Sequence, residues 1–124
     1  MTKYLLLNDL DCYKRSFILS NLVWGFVINW EYFSRNTIGS QFVRSVDSIS
    51  ANIAEGFGRF NKKDKIKFYH YAMGSQKESL DWNEKAWNRK LITKEQHEHI
   101  LQELICLPKD INHLIKFTRE KLKD

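Results

Sequence analysis

Five cations, Arg59, Lys62, Lys63, Lys65 and Lys67, face a lone Asp64 between positions 59 and 67. Side chains of this kind place positive potential against phosphate or carboxylate groups. Residues 1–58 carry five Lys/Arg against five Asp/Glu, and residues 68–124 carry ten against nine, so nearly all of the net charge of +5 sits in this stretch. Three uses fit it: a solvated helix start, a contact with the phosphate backbone of RNA or DNA, or a dock for an acidic protein. Lysines in a first helical turn oppose the helix dipole by roughly a few tenths of a kcal/mol each. Helix stability therefore does not ask for them, whereas a phosphate would meet both the lysines and the exposed amides of the helix start.

The other reactive side chains do not assemble into a recognisable site. His97 and His99 are two residues apart and face different sides of a helix, while helical metal ligands come three or four apart. His97 falls on an apolar face and reads as a core or rim histidine satisfied by a neighbour. The Glu-x-x-His pairs of di-metal bundles are missing, as are nucleophile-elbow, Walker and dinucleotide-binding elements. Asn52, Glu55 and Arg59 share one helix face, either as a polar network clamping helix ends or as a charged surface for a partner. The expectation is a non-catalytic protein without metal or cofactor.

Long helices must position these residues. Gly and Pro total six in 124 residues, and 43% of the chain is apolar, which suits few breaks and one core. The first helix is expected from Asp9 or Asp11 to Phe33, with a stripe of Leu10, Tyr13, Phe17, Trp24, Ile28 and Tyr32. Leu19, Val23, Phe26, Val27 and Trp30 widen that stripe beyond one face, so the helix is expected either to lie deeply enclosed or to show a second apolar face to another subunit. A break at Ser34-Arg35-Asn36, with Thr37 or Ser40 as cap, leads to a helix with Phe42, Val46, Ile49, Ile53 and Phe57 inward. Gly56 and Gly58 are expected to end it through left-handed backbone angles.

Asn61 caps the third helix, whose expected seam is Ile66, Tyr69, Met73, Gln76, Leu80, Asn83 and Trp87. After a break at 88–92, Thr93 with Gln96 forms a capping-box signal for the fourth helix, which Pro108 should kink. The basic final turn, Lys116 to Lys123, suits the dipole of a helix end. Short connections between such helices predict an all-α, antiparallel up-and-down four-helix bundle over residues 1–124. Tyr4-Leu5-Leu6-Leu7 is too short for a signal peptide and 22–28 too short to span a bilayer, so no membrane is expected as partner. Cys12 and Cys106 have no framework spacing and suit a reduced, cytoplasmic chain.

The stretch Ser48-Ile49-Ser50-Ala51-Asn52-Ile53-Ala54-Glu55-Gly56-Phe57-Gly58-Arg59 resembles the S-I-P-x-N-I-A-E-G-x-x-R signature of the bundle proteins encoded in intervening sequences of bacterial 23S rRNA genes, the S23 ribosomal protein family. Phe68-Tyr69-His70-Tyr71-Ala72-Met73-Gly74-Ser75-Gln76-Lys77-Glu78-Ser79-Leu80 is similar to the family's second block. Ser50 departs from the signature's proline. The resemblance implies a four-helix bundle, a homo-oligomeric ring, often a pentamer, and nucleic acid as a partner. It marks Asn52, Glu55, Gly56, Arg59, Gly74, Ser75 and Glu78, which it suggests hold the bundle together rather than form an active site. The alternative to nucleic-acid binding is a protein scaffold or adaptor.

Overall fold

Leu7–Asp9 forms one 3-10 turn, held by the Leu6 amide donating to Asp9 Oδ2 at 2.8 Å, and delivers the chain to the first long helix. The structure, a computed structural model, describes residues 5–122; Tyr4 and Lys123, named above, lie outside them. Four long helices follow: α1 Asp11–Val27, α2 Ser40–Gly58, α3 Lys62–Asn88 and α4 Lys94–Lys121. Packing runs α1 to α2, α2 to α3, α3 to α4 and α4 back to α1, so the chain goes up and down around one core. Among the described residues there is no strand, and no helix is long and apolar enough to cross a membrane.

Two features of the first half differ from the sequence reading. The first helix stops at Val27 rather than Phe33, and Ser34-Arg35-Asn36 is helical. The break lies at 28–31. Asn29 turns its side-chain amide back to the Gly25 carbonyl at 3.0 Å, and the Glu31 carboxylate accepts from the backbone amides of Phe33 (2.9 Å) and Ser34 (2.6 Å). Glu31 therefore caps a turn, Tyr32–Ser34, which runs through a π-helical stretch, Arg35–Gly39, into α2. Hydrogen bonds from Ser34 and then Phe33 to the charged carboxylate lower the Glu31 pKa. A Cβ on Gly39 would lie 2.7 Å from Val27 Cγ1, so glycine there lets the end of α1 rest on α2.

The second difference is the rotation of α1. Cys12, Ser16, Leu19, Ser20, Val23 and Val27 face the core, while Phe17, Trp24, Ile28 and Tyr32 are exposed. Both sets have helical spacing, so periodicity cannot choose between them. The core side is the one whose small residues, Ser16 and Ser20, admit close neighbours.

The α2 stripe is as expected, with Phe42, Val46, Ile49 and Ile53 fully buried and Phe57 half-buried. On α3 the inward seam is Tyr69, Ala72, Gln76, Ser79, Asn83 and Ala86; Met73 and Leu80 flank it and Trp87 is exposed. Alternate seam positions are thus small. Ser79 Oγ reaches Ser45 Oγ on α2 at 3.0 Å, a link across helices that depends on that close approach.

Pro108 stays inside α4. It has no N–H to give the carbonyl four residues earlier, that of Leu104. Gln76 Nε2 on α3 donates to that same Leu104 oxygen at 2.8 Å. The two anomalies of the sequence, a buried glutamine and a mid-helix proline, therefore satisfy each other. Thr93 and Gln96 exchange side-chain and backbone hydrogen bonds at 3.1 and 3.0 Å, the capping box read from the sequence. His97 stacks on Trp87 at 5.3 Å and its Nε2 lies 2.7 Å from Glu84 Oε1, a satisfied rim histidine.

Candidate nucleic-acid interface

The antiparallel order brings the C-terminus of α2, the N-terminus of α3 and the C-terminus of α4 to one end of the bundle. Helix C-termini expose carbonyls and a negative dipole end. Lys65 Nζ donates to the Phe57 carbonyl at the end of α2 (2.6 Å), and Lys62 Nζ donates to the Arg119 carbonyl at the end of α4 (3.0 Å). The lysines that oppose the dipole of their own helix thus serve the ends of its two neighbours, which corrects the expectation that structure has no use for them. Burial lowers the Lys65 pKa, consistent with this half-enclosed place.

The remaining cations point outward. Arg59 pairs with Glu55 at 3.1 Å and lies 4.5 Å over the Phe68 ring, which Lys67 also approaches at 5.9 Å. Lys63 is exposed and makes no hydrogen bond or ion pair among the described residues. Arg119 and Lys121 in the last turn of α4 add to the same end. These two groups of cations are more than fifty residues apart in sequence; the Lys62 contact with Arg119 joins them. Phe60, between α2 and α3, is 95% exposed, and Tyr71 is exposed with its ring edge-on to Phe68 at 5.4 Å. Tyr69, on the same helix, is buried and presents no ring to a ligand.

Known proteins share this architecture. The profile of the 23S rRNA-intervening sequence proteins matches residues 8–113. The chain belongs to this family. A solved structure of a protein of unknown function from the S23 ribosomal protein family of Bacteroides thetaiotaomicron is similar, with 25% identity and a TM-score of 0.75. The match covers 85% of this chain and 98% of that one. No curated protein matches.

In this 23S rRNA-intervening sequence protein the marked positions divide by role. Asn52 donates to the Ser48 carbonyl (2.8 Å), Glu55 pairs with Arg59, and Glu78 accepts from Trp82 Nε1 (2.9 Å). Each contact lies along a single helix or its immediate end, so these contacts do not clamp helices together. Glu55 and Glu78 are exposed and Asn52 is half-buried. Gly56 is the packing residue: a Cβ there would lie 2.8 Å from Tyr69 Cε1 and 2.9 Å from the Lys65 carbonyl. Neither Gly56 nor Gly58 has positive φ, so α2 ends without the left-handed turn expected from the sequence. A Cβ on Gly74 would meet nothing within 4 Å, so Gly74 does not hold the bundle together as the resemblance suggests. Ser75, half-buried, gives its carbonyl to Ser79 Oγ at 2.8 Å.

Both cysteines are free. Burial, reinforced by Asp110, pushes the Cys12 thiol from an ordinary 9.0 up to about 11. Tyr69 is likewise raised, first by burial and then by Cys12. The unfolded chain releases the Cys12 proton first, so the folded state loses stability as pH rises from 9.0 to about 11 and holds it fully below that window. Urea unfolding at about pH 10.5 should show a loss of about 2 kcal/mol from Cys12 relative to neutral pH, with a smaller further loss from the raised Tyr69, and Cys12→Ala should lessen that fall. An equal fall in the variant would remove Cys12 as the cause.

Proposed function

We propose that this protein is a non-catalytic, cytoplasmic, homo-oligomeric bundle over residues 1–124, assembled as a pentamer, that binds RNA or DNA through its basic end. The observation that carries the reading is Phe60, an almost fully exposed ring next to Arg59 in the α2–α3 connection, at the end of the bundle that also holds Lys63, Lys67 and the Arg119–Lys121 turn. Cations track a phosphate backbone without regard to sequence, and an exposed ring stacks on unpaired bases. The combination favours a single-stranded segment over a duplex, whose bases are already stacked. Self-association is supported by the exposed face of α1, where Phe17, Trp24 and Ile28 lie in one apolar band. Free cysteines suit the cytoplasmic placement.

A titration of single-stranded oligouridylate, hairpin RNA and duplex DNA, each at low and high salt, tests the reading. The single strand should bind most tightly, and Phe60→Ala should cost about 1–2 kcal/mol on that probe with little effect on the duplex. Lys63→Gln with Lys67→Gln should weaken all three probes while leaving the fold intact, because neither side chain caps a helix. Binding unchanged in both variants would leave the basic end as a solvated helix terminus, and an acidic protein partner would become the better reading.

A further inference from the structure

At the opposite end of the bundle, a groove of about 330 Å³ lies between α1 and the start of α2. Its apolar lining is Trp24, Val27, Ile28 and Val43, and two arginines, Arg35 and Arg44, border it. Trp24 is 55% exposed, and neither arginine has an ion-pair partner within the usual distance among the described residues. Arg35 contributes slightly to lowering the Glu31 pKa, but the carboxylate itself is held by the Ser34 and Phe33 amides. The groove therefore asks for an occupant with an apolar body and carboxylates.

The first half of α4 has that chemistry and starts at the same end of the bundle. Glu95 is exposed with no ion pair among the described residues; Glu98 has only the neighbouring Lys94 at 3.9 Å. Beside them stand Leu101, half-buried, and Ile105, 56% exposed. Most other exposed acids of the chain are held internally: Asp11 by Lys14, Glu55 by Arg59, Glu78 by Trp82, Asp81 by Lys85 and Glu84 by His97.

We propose that the α1–α2 groove of one copy receives the outer face of α4 of a second copy, with Ile105 and Leu101 against Trp24 and Ile28 and with Arg35 and Arg44 against Glu95 and Glu98. This rests on the self-association reading and specifies its contact. Groove and ridge are different surfaces at the same end of the bundle, so the contact is heterologous and each copy retains both a free donor and a free acceptor. Such a contact propagates, closing into a ring when its rotation allows.

Charge exchange tests the pairing by sedimentation velocity. Arg35→Glu with Arg44→Glu, and separately Glu95→Arg with Glu98→Arg, should each weaken self-association roughly ten-fold or more by placing like charges in contact. Combining all four changes in one chain should restore it, and mixing the two variants should restore association only in species with an even number of copies, because alternating partners cannot close a five-membered ring; circular dichroism confirms helical content throughout. Wild-type assembly that survives in both variants, or a loss that neither mixing nor the combined chain reverses, overturns this contact while self-association stands. A wild type that stays monomeric at micromolar concentration overturns both.

Discussion

Replacing Gln76 by methionine should cost about 2–3 kcal/mol, more than its volume change explains, because it strands a buried carbonyl. Pro108 deprives the Leu104 oxygen of its helical donor, and Gln76 Nε2 at 2.8 Å is the replacement. The cause can be isolated by a second substitution. Pro108→Ala returns an N–H to α4 at the position that would serve Leu104, so the double variant should recover part of the loss. Urea unfolding of the four proteins in the cycle reads the coupling directly. Strict additivity would mean that the glutamine's value lies in packing and that the proline is incidental.

Gly56→Ala carries the other large effect. Its new methyl group would meet Tyr69 Cε1 at 2.8 Å, the Lys65 carbonyl at 2.9 Å and Phe68 Cβ at 3.0 Å. Two of these sit on or next to the backbone of α3, and Tyr69 is fully buried, so no flexible side-chain end can give way. A loss of about 2–3 kcal/mol is expected, the usual consequence of overfilling a packed contact. Gly74→Ala should act the other way, raising stability by up to about 1 kcal/mol, since its Cβ points into open space and alanine favours the helix. Equal losses at the two glycines would show that the α2–α3 crossing is not the reason for Gly56.

The elements whose signals are local were legible in the sequence. The Asn61 cap, which accepts from the Asp64 amide at 2.9 Å, and the Thr93–Gln96 box each depend on residues within one turn, and the α2 stripe has only one apolar face to choose. The rotation of α1 was not legible, because it carries two apolar faces and only the packed neighbours decide between Leu19–Val23 and Phe17–Trp24. The end of α1 was misplaced because Glu31, not a favoured capping residue, supplies the cap. At the candidate site the cluster itself could be read from charge alone. Its internal division could not, since Lys62 and Lys65 take carbonyls 57 and eight residues away on other helices.

That division makes the function testable with a clean variant. Lys62 and Lys65 hold helix ends, so altering them mixes stability with binding; Lys63 and Lys67 do not. The most direct measurement is the affinity for single-stranded oligouridylate as a function of salt, wild type against the Lys63→Gln, Lys67→Gln chain. For every phosphate that a lysine no longer neutralises, the slope of log affinity against log salt should become shallower by about 0.7, so about 1.4 for the pair, with the melting point unchanged. Two proteins with the same slope and the same affinity would contradict a nucleic-acid role for this end of the bundle.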